Sequence, residues 1–131
     1  MSEILVNKLT GTSTAGSILV TGEGNSTTTS LQQGLAKAWV QFNASIVAQG
    51  SLNISSLTDS ATGKFIATIN NDFSNDDFAA TAVVGSATNV TNYSWWIGDT
   101  ISTGTLSLRT FQNNAYIDNP YNMMVFFGDL A

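Results

Sequence analysis

The chain has 131 residues and a mass of 13.8 kDa, enough for one domain with a short arm. Four Lys+Arg against nine Asp+Glu leave a net charge of −5, and neither His nor Cys is present. That charge argues against nucleic acid as a main partner, because phosphate binding needs clustered cations. The missing thiols and imidazoles remove disulfides, Cys and His nucleophiles, and nearly every zinc, haem or iron–sulfur site.

Leu, Ile, Val and Phe supply 34 of 131 residues, so a core can form. Ser, Thr, Asn and Gln supply 50 of 131 and only 10% of residues are charged, so the surface is mostly hydroxyls and amides. Weak charge repulsion suits a chain that works in an assembly or outside a cell. The longest apolar runs, such as Met123-Met124-Val125-Phe126-Phe127, fall far below the roughly 20 residues of a helical membrane span. The start, Met1 to Val6, lacks the basic and apolar stretches of a signal peptide, so export by the general secretory route is not expected.

Residues 1–25 read as an arm. Ile4-Leu5-Val6 and Ile18-Leu19-Val20 are short strand-like runs around a Thr/Ser/Gly-rich stretch. Two strands alone are marginal in water, which points to packing against other chains. Residues 26–38 are the one candidate helix. Leu31, Leu35 and Ala38 recur at helical spacing, behind capping residues Asn25, Ser26 and Thr27–Thr29. Gly34 weakens it by about 1 kcal/mol relative to Ala. Such a helix either lets neighbouring chains approach closely or caps the end of a sheet.

Residues 39–131 read as strands. Ala38–Phe42, Ser51–Ser55 and Lys64–Ile69 alternate, and Thr58–Gly63 is turn chemistry with Gly63 suited to a positive φ. Phe78–Val84, Tyr93–Ile97, Thr105–Phe111 and Tyr121–Phe127 complete the series. The expected fold is mainly β: an antiparallel β-sandwich, jelly-roll-like, with an N-terminal extended arm and one short helix.

Three pieces carry a family resemblance. They are Ile4-Leu5-Val6-Asn7-Lys8-Leu9; Leu31-Gln32-Gln33-Gly34-Leu35-Ala36-Lys37-Ala38-Trp39-Val40-Gln41-Phe42-Asn43; and Leu52-Asn53-Ile54-Ser55-Ser56-Leu57-Thr58-Asp59 with Thr62-Gly63-Lys64-Phe65 and a closing Met124-Val125-Phe126-Phe127-Gly128. Together they resemble small tail-fibre-like virion structural proteins of marine tailed bacteriophages, of the cyanophage and pelagiphage type. The resemblance implies an arm and helix that mediate trimer assembly or attachment, and a β-domain displayed outward. No long fibrous shaft is present, so a tail fibre or knob and a capsid decoration or head fibre both stay open. The implied partners are the chain itself, as a homotrimer, other virion proteins, and a host surface glycan or receptor. The implied location is the virion, assembled in the host cytoplasm.

The assembly residues expected on this reading are Ile4, Leu5, Val6, Leu9, Ile18, Leu19, Val20, Leu31 and Leu35. For a receptor surface, Tyr93, Trp95 and Trp96 stand out, because adjacent strand residues face opposite sides and one Trp must meet solvent or a neighbour. That pair reads as a subunit interface, two-sided burial or a ligand platform. Asn113, Asn114, Tyr116, Asn119 and Tyr121 are polar-recognition material on the loop joining the last two strands. Trp39 is expected in the core.

Other patterns carry less. The acidic stretch Asn70–Asp77 lacks the central Gly and terminal Glu of a calcium loop and reads as a turn. Asp76 and Asp77, adjacent on one loop, do not make the separated acid pair of a glycosidase. Five Asn-x-Ser/Thr matches, at Asn25, Asn43, Asn53, Asn89 and Asn92, are uninformative in so Asn-, Ser- and Thr-rich a chain. Gly22-Glu23-Gly24 is a loop, not a dinucleotide site. No catalytic residue, cofactor or metal is assigned. The rivals to a virion protein are a non-catalytic carbohydrate-binding module using Trp95 or Trp96, and a hydrolase using Asp pairs.

Overall fold

The structure, a computed structural model, describes residues 3–13, 17–22, 27–85, 93–112 and 114–131, without the side chains of residues 33 and 93–97. The chain divides into two compact units, Met1–Leu35 and Ala36–Ala131.

In the first unit, β1 (Leu19–Thr21) pairs antiparallel with β2 (Thr28–Ser30), Leu19 opposite Ser30. Gly22 N–H donates to the Thr27 carbonyl at 3.0 Å, and Leu31 N–H to the Ile18 carbonyl at 2.8 Å. The helix expected over 26–38 is reduced to one turn, α1 (Leu31–Gly34). Two causes are local. Thr28 and Thr29 are β-branched and join a strand instead, and a four-residue turn ending at Gly34 cannot repay helix nucleation. Ala36 to Ala38, expected within the helix, belong to the second unit.

The second unit is an antiparallel β-sandwich. One sheet has the order β4-β3-β11-β7, from β3 (Ala38–Phe42), β4 (Ala48–Leu52), β7 (Ala79–Gly85) and β11 (Tyr121–Phe127). The other has the order β10-β9-β6-β5, with β8 also paired to β9. Its strands are β5 (Ile54–Ala61), β6 (Lys64–Ile69), β8 (Tyr93–Ser102), β9 (Thr105–Gln112) and β10 (Ala115–Tyr116). Arg109 pairs with Lys64 and with Trp96, and Phe111 with Tyr116 and with Ser94. Thus β8 runs along one edge of β9, while β6 and then β10 share the other.

Alternation decides what goes inside. On β3, Ala38, Val40 and Phe42 are buried while Trp39 and Gln41 are exposed; on β6, Phe65, Ala67 and Ile69 are buried. These residues join Leu106, Leu108, Met124, Phe126 and Ala82 in one core cluster. Phe42 and Phe65 meet edge to face across the two sheets, centroids 5.2 Å apart. Trp39 is therefore a correction. It shares parity with Gln41, lies on the outer face and is 38% exposed. The turn expected over Thr58–Gly63 is shortened to Thr62-Gly63, with Gly63 at φ 66°, because Thr58–Ala61 stay in β5 and pair with β6.

The acidic stretch 70–77 is a turn region, and its centre is structural. Phe73 is buried, stacks on Phe78 at 4.5 Å, and donates its N–H to the Thr103 carbonyl at 2.9 Å. The expected strand Ser51–Ser55 is split at Asn53. There the chain leaves β4 in one sheet and enters β5 in the other, with Asn53 at φ 57°. Asn53 Oδ1 accepts from Asn71 N–H at 2.7 Å and Asn53 Nδ2 donates to the Asn71 carbonyl at 3.0 Å. The Asn53 carbonyl accepts from Asn70 N–H at 3.0 Å. Asn tolerates the left-handed region and supplies both side-chain bonds, which explains an amide at this corner.

Asn53→Gly keeps the backbone freedom and loses the side-chain bonds, an expected cost of about 1–2 kcal/mol. Asn53→Val adds left-handed strain of about 1–2 kcal/mol. Urea unfolding of the two variants should rank valine below glycine and glycine below wild type.

Candidate functional site

The candidate surfaces are the arm and the outer face of each sheet. In the arm unit, Ile4, Leu5, Val6, Leu9, Leu19, Val20 and Leu35 are between 52% and 86% exposed. Ile18 and Leu31 are half-buried and tied together by the Leu31-to-Ile18 backbone bond. Leu9, Ile18, Leu31 and Leu35 line an open groove of about 520 Å³ together with Lys8 and Gln32. All nine assembly residues therefore sit in one unit, seven of them exposed. Burying an Ile or Leu side chain is worth roughly 1.5–3 kcal/mol. Seven such side chains amount to roughly 10–20 kcal/mol, the same order as the estimated 4–15 kcal/mol lost on association.

The outer face of the five-stranded sheet holds the chain's one charge cluster among the described residues. Between Ile97 and Ile101 of β8 the register slips, so that Gly98, Asp99 and Thr100 oppose only Ser107. Thr100 N–H donates to Ser107 Oγ at 2.8 Å, and Ser107 is fully buried beneath this bulge. The bulge carries Asp99 over the neighbouring strands. Lys64 Nζ lies 3.0 Å from Asp99 Oδ2, and Arg109 Nε donates to the same oxygen at 2.8 Å, with a second contact from its Nη2. Two of the chain's four cations thus converge on one carboxylate. Lys64 first, then Arg109, hold the Asp99 carboxyl below its ordinary value. The Arg109 guanidinium also lies 5.2 Å over the Tyr116 ring, which packs against Phe111 at 4.4 Å. The cluster joins β6, β8, β9 and β10 on one face.

The outer face of the four-stranded sheet differs in kind. Registers across β4, β3, β11 and β7 place Leu52, Trp39, Val125 and Thr81 in one row, and Gly50, Gln41, Met123 and Val83 in the next. No charged residue occupies an outward position on these strands. An open groove of about 340 Å³ lies among Gln41, Asn43, Gln49, Pro120 and Tyr121.

The expected receptor residues are dispersed over these surfaces. Tyr121, 48% exposed, borders the groove, and Tyr116 belongs to the Arg109 cluster on the other sheet. Asn114 is exposed at φ 65° in the β9–β10 turn, and Asn113 lies outside the described residues. Tyr93, Trp95 and Trp96 pair with Gln112, Thr110 and Arg109, which sets the two Trp positions on opposite faces; their side chains lie outside the description. Asn119 is a correction. It is fully buried, and its carbonyl accepts from Asn122 Nδ2 at 2.7 Å as the chain crosses from one sheet to the other. Neither the Asp99 cluster nor the Trp39 face was among the expected sites. The parity of Ala38-Trp39-Val40-Gln41-Phe42 was the available signal for the second. The first needs the bulge, which periodicity does not show. Comparison with protein-family models, with curated proteins and with solved structures gave no match.

A carboxylate held low stabilises the fold above its unfolded value and loses that contribution as pH falls through its folded value. Asp99→Asn should therefore lower the melting temperature at neutral pH. The gap to wild type should hold down to about pH 4 and close below it, as thermal melts across that range will show.

Proposed function

We propose that this chain is a bacteriophage virion structural protein, a trimeric tail fibre, knob or fibre-like attachment protein. Its arm joins copies to one another and to the particle, and its β-sandwich is displayed for host adsorption. The work is adhesive and structural, not catalytic. The observation that carries the reading is the pairing of a well-packed β-domain with an arm whose apolar side chains remain in water. Ile4 and Leu5, 86% and 83% exposed, have little reason to be apolar unless another surface covers them. The family resemblance of the arm and of the Leu31–Asn43 piece supplies the virion setting. Many copies on one particle multiply weak individual contacts into firm adhesion.

Light scattering on the purified chain should give a native mass near three times 13.8 kDa. The triple variant Ile4→Asp, Leu5→Asp, Leu19→Asp should run as a monomer with an unchanged β-type circular dichroism spectrum. A wild-type monomer at tens of micromolar would overturn the trimer.

A further inference from the structure

We infer that the outer face of the four-stranded sheet binds a neutral glycan, with Trp39 as the stacking platform and Gln41, Gln49 and Tyr121 as the polar rim. A Cβ built at Gly50 would stand 3.1 and 3.3 Å from two Trp39 ring carbons, tighter than ordinary contacts. The indole has thus leaned from its register partner Leu52 toward Gly50, the residue opposite Gln41. It rests on the sheet where the missing side chain leaves room, and 38% of the residue stays exposed. A supported aromatic face of this kind meets the C–H face of a sugar ring, because the ring's negative face attracts the polarised hydrogens.

The next residues supply the polar half. Gln49 is the extra residue of a β-bulge: Gln41 pairs with Gly50 and Phe42 with Ala48, leaving Gln49 unpaired in register. A bulge re-aims a side chain, and Gln49 accordingly lines the groove with Gln41. Phe42, Pro120 and Tyr121 complete its lining. Asn43, which also lines it, is held in place, since Asn43 Oδ1 accepts from Ser45 N–H and Val47 N–H, both at 3.0 Å. Amides both donate and accept in one plane, which matches the paired hydroxyls of a sugar. Trp39 is not part of the lining of this groove of about 340 Å³, so the proposed sugar chain runs from the ring past Gln41 into it.

Charge selects the class. The outward positions of this sheet carry none, so nothing there would pair a sulfate or carboxylate, and an uncharged glycan is the complement. The inference does not depend on trimer formation, because every residue named lies in one chain's sandwich. If the attachment reading also holds, this face is its receptor surface.

The test is saturation-transfer NMR on the full chain with maltohexaose, cellohexaose, laminarihexaose and triacetylchitotriose, followed by titration of the strongest. At least one should receive saturation. Trp39→Ala should weaken it tenfold or more, Gly50→Ala severalfold by displacing the ring, and Gln41→Ala severalfold with the melting temperature unchanged. Asp99→Asn, on the other sheet, should leave binding as it was. Silence from all four sugars overturns the inference, as does binding insensitive to both Trp39→Ala and Gln41→Ala. A preference for a heparin oligosaccharide overturns the neutral class. If Trp39→Ala instead lowers the native mass, the face is an interface between copies and the glycan reading fails. Native mass alone tests the trimer, so the two failures are separable.

Discussion

Phe42 and Phe65 meet between the sheets, one ring edge against the other's face, and the parity of every neighbouring strand follows from that contact. Once Phe42 points inward, Val40 and Ala38 must follow, and Trp39 and Gln41 must point out. Once Phe65 points inward, Lys64 and Ile66 face the other way. A one-residue slip would exchange the core for the surface along a whole strand. Removing either ring would leave a cavity at the centre of a small core, where such losses run to about 3–5 kcal/mol. The same constraint creates the two outer faces. One gathers Lys64, Arg109 and, through a bulge, Asp99. The other gathers only neutral side chains.

Where a strand lies in the middle of a sheet and packs on one side, the residues announced it. Ala38–Phe42, Lys64–Ile69 and Tyr121–Phe127 have the bounds that alternation and turn residues suggest. The failures share a cause. Asn53 looked like a strand residue because its neighbours alternate, yet its conformation answers to Asn71, 18 positions away. The 26–38 helix had the right apolar spacing, but Leu31 N–H is taken by the Ile18 carbonyl and the preceding threonines pair with β1. Partners remote in the chain overrode local preference in both cases. The sites divide along the same line. The apolar arm was legible, since composition alone shows side chains without a core. The Asp99 cluster and the Gln49 bulge were not, because each depends on how two strands slip past one another.

The arm and the sandwich represent opposite solutions to the same composition. With 10% of its residues charged, the chain has little means of keeping an apolar surface apart from its neighbours by repulsion. The sandwich hides Phe42, Phe65, Phe126, Leu106 and Leu108 between its sheets. The arm, too short to enclose anything, leaves seven Ile, Leu and Val side chains in water. An arm so built is costly in a free monomer and useful in an assembly, where the same side chains become the joint.

The gathering of cations at Asp99 bears on resistance to proteolysis. Digestive proteases that cleave after Lys or Arg find four target bonds in this chain, following Lys8, Lys37, Lys64 and Arg109. Lys64 and Arg109 lie in β6 and β9, each hydrogen-bonded to a strand on both sides, and their side chains are held by one carboxylate. Cleavage there requires local unfolding of the sheet. Lys8 lies in the first unit and Lys37 just after the boundary between the two, so a nick after Lys37 separates the units and one after Lys8 removes only the first eight residues, leaving the sandwich whole in both cases. The four bonds thus differ in exposure to cleavage: Lys8 and Lys37 lie outside the sheets, whereas Lys64 and Arg109 are held within one, their side chains tied to the Asp99 carboxylate.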